Sequence, residues 1–179
     1  LFSIPAAIVF TSSIAVSKPV GPLPNGDECT NAQSAYDGAN SFDTTIATPS
    51  MPEPDESQCP GTELNWNASP DIWFLYVPST TGSHTFTTCD SVSYDTSMVL
   101  YQGNCNNQIA CNGDDPIADG SCQSYYSTIE YTLTAGSTYY IRIGGWQGGT
   151  GAGNLTIDPP SGGSNGTWYV NHNNVPPGG

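Results

Sequence analysis

The stretch Asp71-Ile72-Trp73-Phe74-Leu75-Tyr76-Val77 decides how this chain is read. On an extended backbone Ile72, Phe74 and Tyr76 point to one side and Trp73, Leu75 and Val77 to the other, so both faces are apolar. A strand of that kind belongs in the middle of a sheet, covered on both sides. Outward from it, short candidate strands recur between turn signals. Phe42, Thr44 and Ile46 alternate, and two further runs centre on Phe86 and on Met98 with Leu100. Ile129, Tyr131 and Leu133 share one face, as do Tyr139, Ile141 and Ile143, and then Leu155 and Ile157. Strands spaced by about 8–12 residues between turns mark a sandwich or a barrel. The stretch 47–70 has no period and carries Pro49, Pro52, Pro54, Pro60 and Pro70, so it is expected to be an irregular excursion pinned through Cys59.

Composition agrees with an all-β fold: Gly, Pro, Ser, Thr, Asn and Tyr are plentiful and long helix-forming runs are lacking. No stretch of about 18 strongly apolar residues occurs, so no transmembrane helix is expected. The net charge is −14, and the only basic residues besides histidine are Lys18 and Arg142. A phosphate backbone or an anionic lipid surface needs clustered cations, which excludes nucleic acid and acidic membranes as partners. Metal cations, glycans and further copies of the chain remain. Six cysteines, Cys29, Cys59, Cys89, Cys105, Cys111 and Cys122, are scattered through loop-rich sequence without a CxxC pair. They read as disulfides formed in an oxidising compartment rather than as a zinc site. Sequence proximity favours the pairs Cys29–Cys59 and Cys111–Cys122, leaving Cys89–Cys105, out of about fifteen connectivities.

The first seventeen residues alternate over an unusual length. Phe2, Ile4, Ile8, Phe10, Ile14 and Val16 fall on one side, and mostly small or polar residues on the other. A strand of this length would reach on the order of 50 Å, whereas strands in globular domains run to about 5–6 residues. Ala15-Val16-Ser17 also fits the end of a secretory leader, but no basic residue precedes the apolar run. The expectation is a structured strand of the mature chain. Residues 18–28, with three prolines and two glycines, read as a linker, 29–159 as the sandwich, and 160–179 as a Gly/Pro-rich tail in which Trp168, Tyr169 and Val170 form one last short strand.

Several segments of the body resemble a known module. They are Asp71-Ile72-Trp73-Phe74-Leu75-Tyr76 with Gly82 and Thr88-Cys89; Tyr94-Asp95-Thr96 with Leu100-Tyr101 and Cys111-Asn112-Gly113-Asp114-Asp115; and Ala135-Gly136-Ser137-Thr138-Tyr139-Tyr140-Ile141-Arg142-Ile143-Gly144. Together they resemble the bacterial pre-peptidase C-terminal modules of secreted proteases and surface proteins. The resemblance spans 29–157. It implies a jelly-roll-like β-sandwich without catalytic residues, in a family in which some members bind calcium and some serve attachment. The long strand arm and the tail lie outside that pattern.

The residues themselves offer two candidate sites. Asp90, Asp95, Asp114, Asp115 and Asp119 could supply part of the oxygen shell calcium requires, although acidic residues in turns also serve as solvated caps. Trp146, flanked by glycines in GGWQGGTG, could stack on a sugar face or instead close the end of the sandwich as a lid; Trp66 and Trp73 read as core. Catalysis finds no support. Neither His84 nor His172 stands in a nucleophile motif, and no phosphate or dinucleotide fingerprint occurs. Asn67, Asn154 and Asn165 head Asn-x-Ser/Thr triplets, which chance explains in so Asn- and Ser-rich a chain.

The leading functional expectation is therefore a non-enzymatic subunit of an extracellular, cell-surface filament that adds its N-terminal strand to a neighbouring copy, head to tail. The competing expectation is a secreted glycan- or calcium-binding adhesion module.

Overall fold

A computed structural model describes residues 22–59, 64–89, 92–114 and 125–161. Nine strands are present among them: β1 (Gln33–Ser34), β2 (Gly38–Asp43), β3 (Ile72–Tyr76), β4 (Gly82–Thr87), β5 (Thr96–Gln102), β6 (Gln108–Asn112), β7 (Thr128–Leu133), β8 (Tyr139–Gly145) and β9 (Ala152–Asp158). They form two sheets, ordered β1-β3-β8-β5-β6 and β2-β9-β4-β7. Apart from the two-residue β1, which lies parallel to β3, every pairing is antiparallel. A five-stranded and a four-stranded sheet in this order make a jelly-roll-like sandwich, in which most successive strands cross between the layers.

Register explains why DIWFLYV is apolar on both faces. Ile72 pairs with Ile143 and Phe74 with Ile141, and both rows point inward, where Met98 and Leu100 of β5 extend them. The second sheet answers with Phe42, Phe86, Ile129, Leu133, Leu155 and Ile157, and the two rows interleave into one core. The alternate residues of the first sheet, Trp73, Arg142 and Val99, line up on its outer face. There they meet a smaller second cluster with Cys59, Leu64, Trp66 and Tyr101. The excursion 47–70 thus covers the outer face of a central strand and hides it from water.

The cover is held by a buried polar knot. Arg142 donates to Asp71 at 2.9 Å, to the Ser50 carbonyl at 2.6 Å and to the Pro52 carbonyl at 2.8 Å. Its guanidinium lies 4.6 Å from the Trp66 ring and 5.0 Å from the Trp73 ring. Ser50 adds hydrogen bonds to Asp71 from its amide and its hydroxyl. A charge this deep is tolerable because it is paired and both terminal nitrogens are directed at acceptors, the buried Nε alone having none.

Several expectations change here. The disulfides are Cys29–Cys105 and Cys59–Cys111, which overturns Cys29–Cys59, Cys111–Cys122 and Cys89–Cys105. Nearness along the chain is the wrong criterion in a jelly roll. Folding sets the turn before β1 beside the β5–β6 turn, and the excursion beside β6, with Cα separations of 6.3 and 5.7 Å. Cys89 is disulfide-bonded as well. The excursion is pinned through Cys59 as expected, but to β6. The alternation Phe42, Thr44, Ile46 is strand only as far as Asp43, and Ile46 is exposed beyond it. Gly26 and Asp27, read as linker, pack on the body: the Trp73 amide donates to the Gly26 carbonyl at 2.7 Å, and buried Asp27 accepts from Thr48. Gly26 has φ +85°, and a Cβ there would stand 2.8 Å from the Trp73 carbonyl oxygen, so only glycine fits. The leader 1–17 with Phe2, Ile4, Ile8, Phe10, Ile14 and Val16, the start of the linker, Cys122, and the tail strand around Trp168 all lie outside the described residues.

Candidate functional site

One end of the sandwich gathers three loop segments: residues 93–95 entering β5, residues 125–126 entering β7, and the 3-10 turn Trp146–Gly148 leaving β8. Backbone bonds tie them together. The Trp146 amide donates to the Asp95 carbonyl at 3.1 Å, and the Thr96 amide to the Tyr125 carbonyl at 3.2 Å. Beneath them Thr88, Thr96 and Ser127 form a buried hydroxyl cluster: the Thr88 and Thr96 hydroxyls are hydrogen-bonded to each other at 2.7 Å, and the Ser127 hydroxyl donates to the Thr96 carbonyl at 2.8 Å. The loops therefore stand on a satisfied, rigid base.

Ser93, Tyr94, Asp95, Tyr125, Tyr126 and Trp146 line a cleft of about 450 Å³ at this end. Its two outer rings are open to solvent, Tyr125 being 63% and Trp146 39% exposed. Tyr94 is the floor. Its hydroxyl accepts from Thr44, and burial pushes its pKa well above the usual tyrosine range. Its ring lies against a glycine shelf, for a Cβ at Gly145 would stand 2.8 Å from Cε2 and one at Gly151 2.5 Å from Cδ1. The glycines around Trp146 thus make room for an aromatic floor. The turn carrying Trp146 is fixed by Gln147, whose φ of 49° is left-handed and whose amide donates to the Asn65 carbonyl at 2.7 Å. Tyr126 donates to the Val92 carbonyl.

Asp95 supplies a carboxylate to the same cleft. Partial burial, and then the negative charge of Asp114, push its pKa up to about 6. Asp114 is held nearby by Asn112, which donates to the Asp114 carbonyl at 2.7 Å and accepts from the Thr128 amide at 2.9 Å. The structure therefore brings together two of the five candidate calcium carboxylates. Asp90, Asp115 and Asp119 lie outside the described residues. Among the described residues no group of three or more His, Cys, Asp or Glu is arranged to hold a metal ion.

Trp146 and Asp95, singled out separately in the sequence, thus share one site. Tyr94, Tyr125 and Tyr126 complete it and were missed. The signal available was a pair of adjacent tyrosines in turn-rich sequence, together with a tyrosine directly before an acidic candidate. Nothing in a linear reading says that these segments meet. Arranged this way, rings and a carboxylate can stack on and hydrogen-bond a flat ligand with one polar edge.

No family model matches the chain, and no curated protein does. Solved structures of similar shape exist at low identity. The pre-peptidase C-terminal domain of a collagenase from Bacillus anthracis aligns over 71% of this chain and 94% of its own, with 9% identity and a TM-score of 0.43. A β-glucosidase from Kluyveromyces marxianus aligns over 50% of this chain and 11% of its own, at 18% identity and a TM-score of 0.32. The same enzyme in complex with glucose gives 19% identity and a TM-score of 0.33.

Proposed function

We propose that the chain is a non-catalytic carbohydrate-binding module of a secreted protein, taking its ligand at the aromatic cleft. The observation that carries this is the convergence of Tyr94, Tyr125, Tyr126 and Trp146 with one carboxylate on a base of buried hydrogen bonds. Sugar rings present apolar C–H faces that stack on aromatic side chains, while their hydroxyls need a few fixed polar groups. The disulfides Cys29–Cys105 and Cys59–Cys111 agree with an oxidising, extracellular setting. Titration of the purified chain with neutral oligosaccharides, followed by tryptophan fluorescence, tests the reading. Trp146→Ala weakens binding about tenfold or more without lowering the melting temperature, because the ring is half-exposed. Unchanged affinity in that variant overturns the reading.

The strand-donating filament remains as a second reading, favoured by a separate observation. Among the described residues β2, β7 and β6 are each paired on one side only, so their outer edges offer backbone groups to an extended segment. Phe86, Leu133 and Leu155 are fully buried in a single chain, so a strand donated by residues 1–17 would extend an edge rather than fill the interior. Light scattering and electron microscopy of a chain beginning at Lys18 decide it. This reading expects polymers from the full chain and monomers from the shortened one; monomers from both overturn it.

A further inference from the structure

The carbohydrate reading of the cleft leaves the charge of the ligand open, and the cleft itself constrains it. Among the described residues its lining holds one carboxylate, four aromatic rings and no basic group. Arg142 cannot serve: it is 1% exposed and all its charge is spent on Asp71 and two backbone carbonyls. Lys18 and Arg142 are the only strong cations in a chain of net charge −14. An acidic sugar, such as a uronic acid or a sulfated unit, would therefore meet repulsion at short and long range. A neutral sugar would gain stacking alone. A protonated amine gains three things at once: attraction to Asp95, relief of the Asp95–Asp114 repulsion, and contact with the negative faces of the surrounding rings.

We propose, resting on the carbohydrate reading, that the cleft selects a cationic amino sugar, a glycan unit carrying a free ammonium, over its N-acetylated or hydroxyl counterpart. The sugar ring stacks on Trp146 and Tyr125, the two open rings, and the ammonium turns inward toward Asp95 over the Tyr94 floor. Acetylation would remove the charge and enlarge the group that has to enter beside Asp95. A hydroxyl would retain the fit but lose the ion pairing.

The test uses the full chain and three β-1,4-linked hexamers: glucosamine, N-acetylglucosamine and glucose. Binding is followed by calorimetry and tryptophan fluorescence at pH about 6.5 in low salt. The expected result is that the glucosamine hexamer binds at least about tenfold more tightly than either neutral hexamer, and that the gap closes in salt of about 0.5 M. Asp95→Asn then brings the three affinities together. Trp146→Ala and Tyr125→Ala each weaken binding of all three about tenfold or more, with folding verified by an unchanged melting temperature. Equal binding of the three by the native chain overturns the amino-sugar inference and leaves the carbohydrate reading standing. Binding of none overturns both. Because a chain this acidic attracts any polycation, one further outcome is decisive: glucosamine binding undiminished in Trp146→Ala is diffuse attraction and overturns the inference.

Discussion

Asp95 works against the fold that carries it. Its pKa in the native state is raised to about 6 from an ordinary value of 3.8, so between those values the folded chain holds more protons than the unfolded one. Stability therefore falls as pH rises through that interval, and the full cost is present above about pH 6. The group is partly open to solvent, and after screening the cost is about 1 kcal/mol. Asp95→Asn should raise the melting temperature at neutral pH by about 2–4 °C, with the gain vanishing below pH 4, near the ordinary pKa of 3.8; calorimetry across pH checks it. Such a cost is expected of a group kept for a ligand. Arg142 is the opposite case. Arg142→Met leaves the buried Asp71 without its ion-pair partner, and should cost about 3–5 kcal/mol in urea unfolding. Adding Asp71→Asn should recover part of that loss, since it removes the stranded charge.

Among the elements, strands and covering loop differ in how they are stabilised. β3, β5 and β8 bury both faces and hold together through side-chain interleaving. Among its described residues the excursion 47–70 contains only a single 3-10 turn, Glu56–Gln58, and it depends on Cys59–Cys111 and on the Arg142 knot. Replacing Cys59 and Cys111 together by serine should cost about 2–4 kcal/mol. The loss should appear first as faster hydrogen exchange in 47–70, before the inner strands exchange. This division also governed what the sequence revealed. β3, β4, β7, β8 and β9 were legible because the inward residues alternate or fill both faces. β6 was not, because Gln108, Cys111 and Asn112 resemble a turn and none of its apolar residues is fully buried. β1 is two residues long and has no period at all. At the site, Trp146 stood out through its glycine flanks, whose second purpose, clearing space for Tyr94, needed coordinates. The cleft could not be read because its three segments meet through contacts distant in sequence, the pairing of β5 with β8 and the backbone hydrogen bonds from Thr96 to Tyr125 and from Trp146 to Asp95.

At the scale of the whole molecule, the outstanding feature is where the body keeps its positive charge. The guanidinium of Arg142 is enclosed between Trp66 and Trp73, neutralised and out of reach. Apart from histidine, every charged group left on the surface of the described body is a carboxylate. A colloid of one sign repels its own kind through its counter-ion cloud. Crowding on a surface is then governed by the mineral content of the surroundings: brine or hard water permits dense layers, and fresh water keeps neighbours apart.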